Sequence, residues 1–222
     1  MPGAIAATSK SRIGAIRSKN SEARVRPFVP RRIAIIQGHP DADARHFCHA
    51  LADAYAEGAA AGGHDVKRIE VAALDFPLLR SQAEFERAAP PAAIADAQAT
   101  LAWAEHWTIV YPLWLGGVPA LLQGFFEQAL RPGFAFDYLP KGRWRKRLGG
   151  RSARLVVTMG MPAFIFRWFY CAHSLKALQR NALGFVGIGP VRSSLAGMVA
   201  SPGPARHQRW LARMRDLGRR AA

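Results

Sequence analysis

Cysteine is nearly absent from the 222-residue chain, with Cys48 and Cys171 the only two. Two thiols so far apart neither build a disulfide framework nor carry the close spacing of a metal site. Both are expected to be free thiols in a reducing compartment, and no metal is expected. Long apolar runs are missing as well. No stretch reaches the ~18 to 20 uninterrupted apolar residues that a membrane span requires, and the first residues lack the compact apolar segment of a secretory signal. A soluble, cytoplasmic protein is the expectation. Zinc-finger spacing, a helix-turn-helix pattern and aromatics interleaved along a basic strand are all lacking, which counts against nucleic acid as a partner. The chain has neither a GxGxxG turn nor a GxxxxGK[ST] loop, so a dinucleotide of the Rossmann kind or a nucleoside triphosphate has no direct support.

Acids are the other scarce class, 15 Asp/Glu against 31 Lys/Arg, for a formal charge of +16. The imbalance is local. Residues 33–140 hold six Lys/Arg against thirteen acids, whereas residues 1–32 hold eight against one and residues 141–154 hold seven against none. Residues 205–222 add six against one. An acidic half-core therefore carries basic tails and one basic loop. Such blocks are solvated faces or attract phosphorylated cofactors and anionic surfaces. Residues 1–30 show no apolar period and are expected to be a basic, disordered tail. A transit peptide and an over-long start share that composition, and both stay open.

From Arg32 the pattern sharpens. "RIAIIQGHP" is a short β-branched apolar run stopped by Gly38 and Pro40, as in a buried parallel strand. Phe47, Leu51, Ala54, Gly58 and Ala61 then recur at helical intervals between Ala44 and Ala61. "DVKRIEVAAL" alternates like a second strand. A helix from about Pro91 to His106 leads into the strand "WTIVYPL", and Val118 to Leu130 is again helical. "RSARLVVTMG" predicts a fourth strand, followed by a helical region from Pro162 to Leu183 broken near Ala172. "GPVRSSLAGMV" is a fifth strand, and residues 201–222 hold a basic helix from about Pro204 to Arg219. Strands alternating with long helices predict a doubly wound, five-stranded parallel α/β sheet with helices on both faces.

Ligands of such sheets lie beyond the carboxyl ends of the strands, so three turns matter most. "QGHPDADARHF" opens a helix whose amino-terminal N–H groups suit a phosphate, with Arg45 and His46 as added donors. Capping of that helix by Asp41 or Asp43 is an equally adequate account of the turn. "PLWLGG" offers apolar walls and bare backbone that can grip a planar, partly polar ring. "TMGMPAF" brings Thr158 and Gly160 past a buried strand. No nucleophile–base pair or carboxylate dyad converges there, so the chemistry must come with a cofactor.

"GHPD…FCHALADAY", "YPLWLGGVPALLQGFFEQALRPGFAF", "VVTMGMP" and "LGFVGIGPVRSSLAGMV", in this order, resemble the flavodoxin-like NAD(P)H:quinone oxidoreductase family, relatives of DT-diaphorase and the modulator of drug activity. The resemblance runs from about Arg32 to Val199. It implies a flavodoxin-like, flavin-binding domain over residues 31–200 that holds FAD or FMN, FAD being favoured, at a homodimer interface. NAD(P)H would reduce the flavin and a quinone-like acceptor would reoxidise it in the same pocket, by a two-electron, ping-pong course. By position, His39, Arg45, His46 and Phe47 correspond to flavin-phosphate contacts, with His46 where the family commonly has Ser. Pro112, Leu113, Trp114, Leu115 and Gly116 correspond to the isoalloxazine loop, and Thr158, Met159, Gly160 and Met161 to the loop on the ring's polar edge. Phe166 falls where some relatives carry a proton-donating aromatic. It has no hydroxyl, which makes Tyr170 and His173 the substitute catalytic candidates.

Some relatives are regulatory subunits of potassium-efflux transporters, and others reduce azo or nitro compounds. Both alternatives stay open. Phe164, Trp168, Cys171, Leu175 and Leu178 are expected to share one helical face, as core and dimer interface. The sharper alternative is an aromatic lid touching a membrane surface, where Arg167, Lys176 and Arg180 would meet anionic headgroups.

Overall fold

The computed structural model describes Gly3 and residues 29–200 and 203–222. The tail expected over residues 1–30 lies outside the described residues except for Gly3, Val29 and Pro30. Strand β1 (Arg32–Gln37) leads through a turn to helix α1 (Phe47–Ala61), then β2 (Asp65–Glu70). Short α2 (Gln82–Arg87) and α3 (Ala92–Trp103) precede β3 (His106–Pro112), and α4 (Ala120–Ala129) follows it. A hairpin of β4 (Phe136–Leu139) and β5 (Arg143–Lys146) comes before β6 (Ser152–Thr158). After β6 the chain forms a π-helical turn (Ile165–Phe169) and then α5 (His173–Ala177), which runs through a second π-helical stretch (Leu178–Leu183) into α6 (Gly184–Val186). Strand β7 (Val191–Ala196) and α7 (Pro204–Arg219) complete the order.

The main sheet has five strands in the order β2-β1-β3-β6-β7, all parallel, as expected for a flavodoxin-like winding. Its central strands are buried on both faces because neighbouring residues point to opposite sides. Ile33, Ile35, Val110 and Val156 pack on one side with α1 and α7, while Ala34, Ile36, Ile109, Leu155 and Val157 pack on the other with α3 and α4. Continuous β-branched runs, rather than alternating ones, are what this double burial selects.

The basic helix α7 packs against the sheet and α1. Met214 and Leu217 of α7 are buried in the α1 core, and the two helices cross at glycines. A Cβ on Gly58 would land on the Arg215 backbone, and one on Gly218 on the Tyr55 carbonyl.

The basic loop at 141–154 is partly an antiparallel hairpin, turned at Lys141 and Gly142, both with positive φ. The helix after β6 breaks where expected, through left-handed Cys171 and Ala172. That break also divides the expected apolar face. Phe166, Leu175 and Leu178 are buried, while Phe164, Trp168 and Cys171 are exposed, because two residues with φ near +50° rotate the chain out of helical phase. The expected helix starting at Ala44 begins instead at Phe47, because residues 41–46 form a side-chain-bonded turn.

Candidate functional site

The carboxyl ends of β1, β3 and β6 are adjacent strands of the sheet, so register alone gathers the three turns. Their contacts are specific. The edge of Trp114 meets the His39 ring at 6.0 Å between centroids. The Leu113 N–H donates to the Thr158 carbonyl at 2.7 Å, and Cys48 Sγ of α1 lies 3.1 Å from Thr158 Oγ1. Cys48 is buried, which pushes its thiol up to about 12, so it is a packing residue and not a thiolate nucleophile.

The first turn is a network closed on itself. His39 is buried and stacks on His46 at 4.0 Å, with His49 at 5.8 Å. The Asp41 N–H donates to His39 Nδ1 at 3.1 Å, and burial together with His46 holds the His39 imidazole below its ordinary pKa. His46 Nε2 lies 2.8 Å from Asp41 Oδ2, and Arg45 forks onto Asp43. The hydrogen bond from His46 holds Asp41, and that from Arg45 holds Asp43, below the usual carboxylate range. Neither acid caps α1. His46 occupies the cap position without a side-chain cap bond, while Asp41 and Asp43 accept from the N–H groups of Asp43 and Arg45. Both basic side chains expected to meet a phosphate thus have a carboxylate partner within the turn. Phe47 turns its ring to stack on His207 of α7 at 4.2 Å, leaving its backbone, not its side chain, at the helix start.

The third turn is a tight reversal. Trp114 and Gly117 exchange two backbone hydrogen bonds, of 3.1 and 2.8 Å, around Leu115 (φ +46°) and Gly116 (φ +76°). Two successive positive φ values define a type I′ turn, for which Asn-Gly is the favoured pair. A leucine there is strained, and its side chain is fully exposed while Trp114 is half exposed. This geometry explains why a loop so apolar sits at the surface: its leucine is held out into solvent on a backbone that disfavours it.

A cleft of about 790 Å³ opens beneath the loop, between Trp114, Gly117 and Gln123 on one side and Ser174, Leu178 and Asn181 on the other. The Ser174 hydroxyl is buried without a hydrogen-bond partner, as is Gln37 Nε2 at the end of β1. In the fourth turn Thr158 and Met159 are buried, Met161 is half buried and Gly160 is exposed with open space where a Cβ would stand. Pro112 is the last, buried residue of β3. Tyr170 and His173 are exposed and do not line the cleft. Tyr170 belongs instead to an open aromatic patch with Phe164, Trp168 and Phe169. Ser174, next to His173, is a polar side chain that the break at Cys171 and Ala172 carries to the cleft, and its hydroxyl is the buried one without a partner there. Sequence patterning gave no signal for it. His49 was detectable, since it lies three residues after His46 on the same helical face.

The arrangement suits a flat, partly polar ring. It has apolar walls at Trp114 and Val118, bare backbone at Gly116 and Gly160, unpartnered polar atoms at Gln37 and Ser174, and a helix start alongside for an anionic tail. The fold defines the class as a doubly wound α/β protein whose strand order reverses between β1 and β3, the place where such folds bind ligands. Within that class the chain belongs to the Flavodoxin_2 family, of flavodoxin-like fold, whose model matches residues 31–217.

Relatives and structural neighbours agree on the fold. An "Uncharacterized NAD(P)H oxidoreductase" of Haemophilus influenzae is 28% identical over 169 residues, covering 74% of this chain and 83% of that protein. The structure of an NAD(P)H:quinone oxidoreductase from Methanothermobacter marburgensis superposes with a TM-score of 0.73 at 22% identity, over 86% of this chain and 96% of the other. An FMN-dependent NADH-azoreductase from Bacillus anthracis, solved in complex with FMN, gives 0.67 at 17% identity, over 85% and 97%. Among the described residues no helix is long and apolar enough to cross a membrane, and no group of His, Cys, Asp and Glu is placed to hold a metal ion.

Proposed function

We propose that the protein is a flavin-dependent NAD(P)H oxidoreductase that passes two electrons to a quinone-like acceptor. The observation that carries this is the contact of the first and fourth turns with the third, through His39 and Trp114 and through Leu113 and Thr158, beside an apolar cleft under the third turn where the Ser174 hydroxyl has no partner. The oxidoreductase relative and the quinone reductase and azoreductase neighbours support it by kinship. A bound flavin would supply hydride acceptance from the nicotinamide and release of both electrons to the acceptor. The residues of this chain would do the rest. The ring would rest against Trp114, Leu115 and Gly116, with Leu113 and Pro112 fixing the loop to the sheet and the backbone of Thr158, Met159, Gly160 and Met161 along its edge. The α1 start at His46 and Phe47, backed by His39 and Arg45, would meet the phosphate. Ser174 is the buried hydroxyl best placed to hydrogen-bond an acceptor or ring within the cleft, ahead of the exposed Tyr170 and His173.

FMN and FAD share the ring and the first phosphate, and both are candidates. The FMN-dependent azoreductase neighbour supports FMN, and no finding adds weight to FAD. Azo compounds are acceptors of the same class. The exposed aromatic patch of Phe164, Trp168, Phe169 and Tyr170 beside the fourth turn supports a homodimer in which a second copy covers it, since so large an apolar patch marks an interface.

The experiment is to titrate the purified chain with FMN and with FAD, then assay NADH and NADPH oxidation with a soluble quinone. Saturable flavin binding with parallel-line kinetics supports the proposal. No binding of either flavin removes it.

A further inference from the structure

At the opposite end of the sheet the starts of β1, β3, β6 and β7 and the end of α7 enclose a second cavity of about 760 Å³. Arg31, Arg192, Arg219 and Arg220 line it, together with His106 and Ser152, and no Asp or Glu does. These arginines come from three separate parts of the chain, so the fold, not a basic run, brings them together. Of the acids nearby in sequence, Glu105 pairs with Arg32, outside the cavity, whereas Asp216 pairs with Arg220 and so leaves Arg31, Arg192 and Arg219 as the guanidiniums open to a ligand. His64 does not compete for an anion, because its Nδ1 accepts from the Arg31 N–H and its Nε2 faces the Arg219 carbonyl.

His106 is the informative group. It is 2% exposed, its Nδ1 lies 2.7 Å from Ser152 Oγ, and its Nε2 is buried without a hydrogen-bond partner. Leaving such an atom unpaired is unfavourable, and with the Ser152 hydroxyl donating to Nδ1 the neutral ring offers an Nε2–H. Burial pushes the imidazole down to about 3, and Arg31, Arg154 and Arg192 add to the effect. Arg31, Arg192 and Arg219 thus bring positive charge to a cavity that no Asp or Glu lines, although Ala222 also borders it, with an oxygen on Arg154 Nε.

We propose that this cavity is a second ligand site, taking the phosphoryl group of a small organic phosphate. Guanidinium groups from several elements suit a dianion with three free oxygens, since each can donate two parallel hydrogen bonds to it. Ala153 and Pro190 form an apolar wall, and the volume exceeds that of bare phosphate, so an organic remainder fits beside the charge. The chain's own first 28 residues do not suit the site, because they hold six Lys/Arg against one Glu. Strand β3 separates this cavity from the cleft by seven residues, roughly 20 Å at the usual rise, so the two sites take different molecules.

The test uses the full chain, with phenyl phosphate and inorganic phosphate as probes at constant ionic strength set with chloride. Calorimetry is run on wild type and on Arg192→Ser/Arg219→Ser, two exposed positions whose exchange leaves the core intact. Phenyl phosphate should bind wild type more tightly than inorganic phosphate does and should shift the His106 imidazole resonances. The double variant should bind it about tenfold more weakly, the loss of one charge-assisted contact or more, and one equivalent of FMN, enough to fill the cleft, should not displace it from wild type. Equal binding by both proteins, displacement by FMN, or His106 resonances that do not respond would each overturn the proposal.

Discussion

Replacing Leu115 by Asn separates what the exposed loop does for stability from what it does for a ligand. Leu115 holds φ +46° with its side chain fully in solvent, immediately before Gly116 at φ +76°. The left-handed region disfavours a leucine by about 1 kcal/mol or more, and Asn tolerates it. Exposure means that no burial is lost in the unliganded protein, and Asn-Gly is the favoured type I′ pair. The variant should therefore be about 1 kcal/mol more stable, read as a rise in Tm of roughly 2–4 °C for a domain of this size. If Leu115 forms part of the flavin wall, the same change removes apolar contact from the complex. Covering half of a leucine side chain contributes about 1 kcal/mol, so the dissociation constant for FMN should rise about fivefold. Thermal unfolding without flavin and fluorescence titration with FMN give the two numbers. A variant that is no more stable refutes the strain, and one that binds FMN as tightly as wild type refutes the contact.

Other perturbations test other links. Asp41→Asn and Asp43→Asn remove the carboxylates that occupy His46 and Arg45, so each should tighten FMN binding several-fold at low salt, an effect that added salt diminishes; unchanged affinity would mean that the phosphate does not approach this turn. His106 is held at about 3 when folded, against 6.5 when unfolded. The unfolded chain therefore takes up the proton first, and stability should fall as pH drops from 7.5 to 5, by about 2 kcal/mol from this group alone. Urea unfolding of His106→Gln should lack that component, with His39, also lowered, contributing a remainder of the same sign. Gly218→Ala forces a methyl into the Tyr55 carbonyl where α7 crosses α1, and should destabilise by about 2–3 kcal/mol in the same assay.

Most of the sheet was legible because double burial leaves so plain a mark. The apolar runs at Ile33, Trp107 and Leu155 became β1, β3 and β6, and their order brought the three candidate turns to one end of the sheet. Helix α2 was overlooked although its capping box is written out: Ser81 accepts from the Glu84 N–H, and Glu84 returns to the Arg80 N–H. The hairpin of β4 and β5 was hidden by the density of Lys and Arg, which reads as a solvated loop, and only Pro140, Lys141 and Gly142 hinted at a turn. In the first turn the sequence allows Asp41 or Asp43 to cap the helix as readily as it allows the turn to meet a phosphate. Their pairing with His46 and Arg45 depends on a loop conformation that has no sequence period. Ser174 reaches the cleft only because Cys171 and Ala172 adopt left-handed backbone, which propensity argues against.

The central claim is that the three turns and the cleft beside the third hold a flavin, and the most direct measurement is the visible absorption of the purified protein before and after incubation with excess FMN and removal of the unbound dye. The account predicts a yellow protein carrying flavin in proportion to chain, bleached by NADH or NADPH and restored by a quinone. Protein that remains colourless after incubation with FMN and with FAD would contradict it.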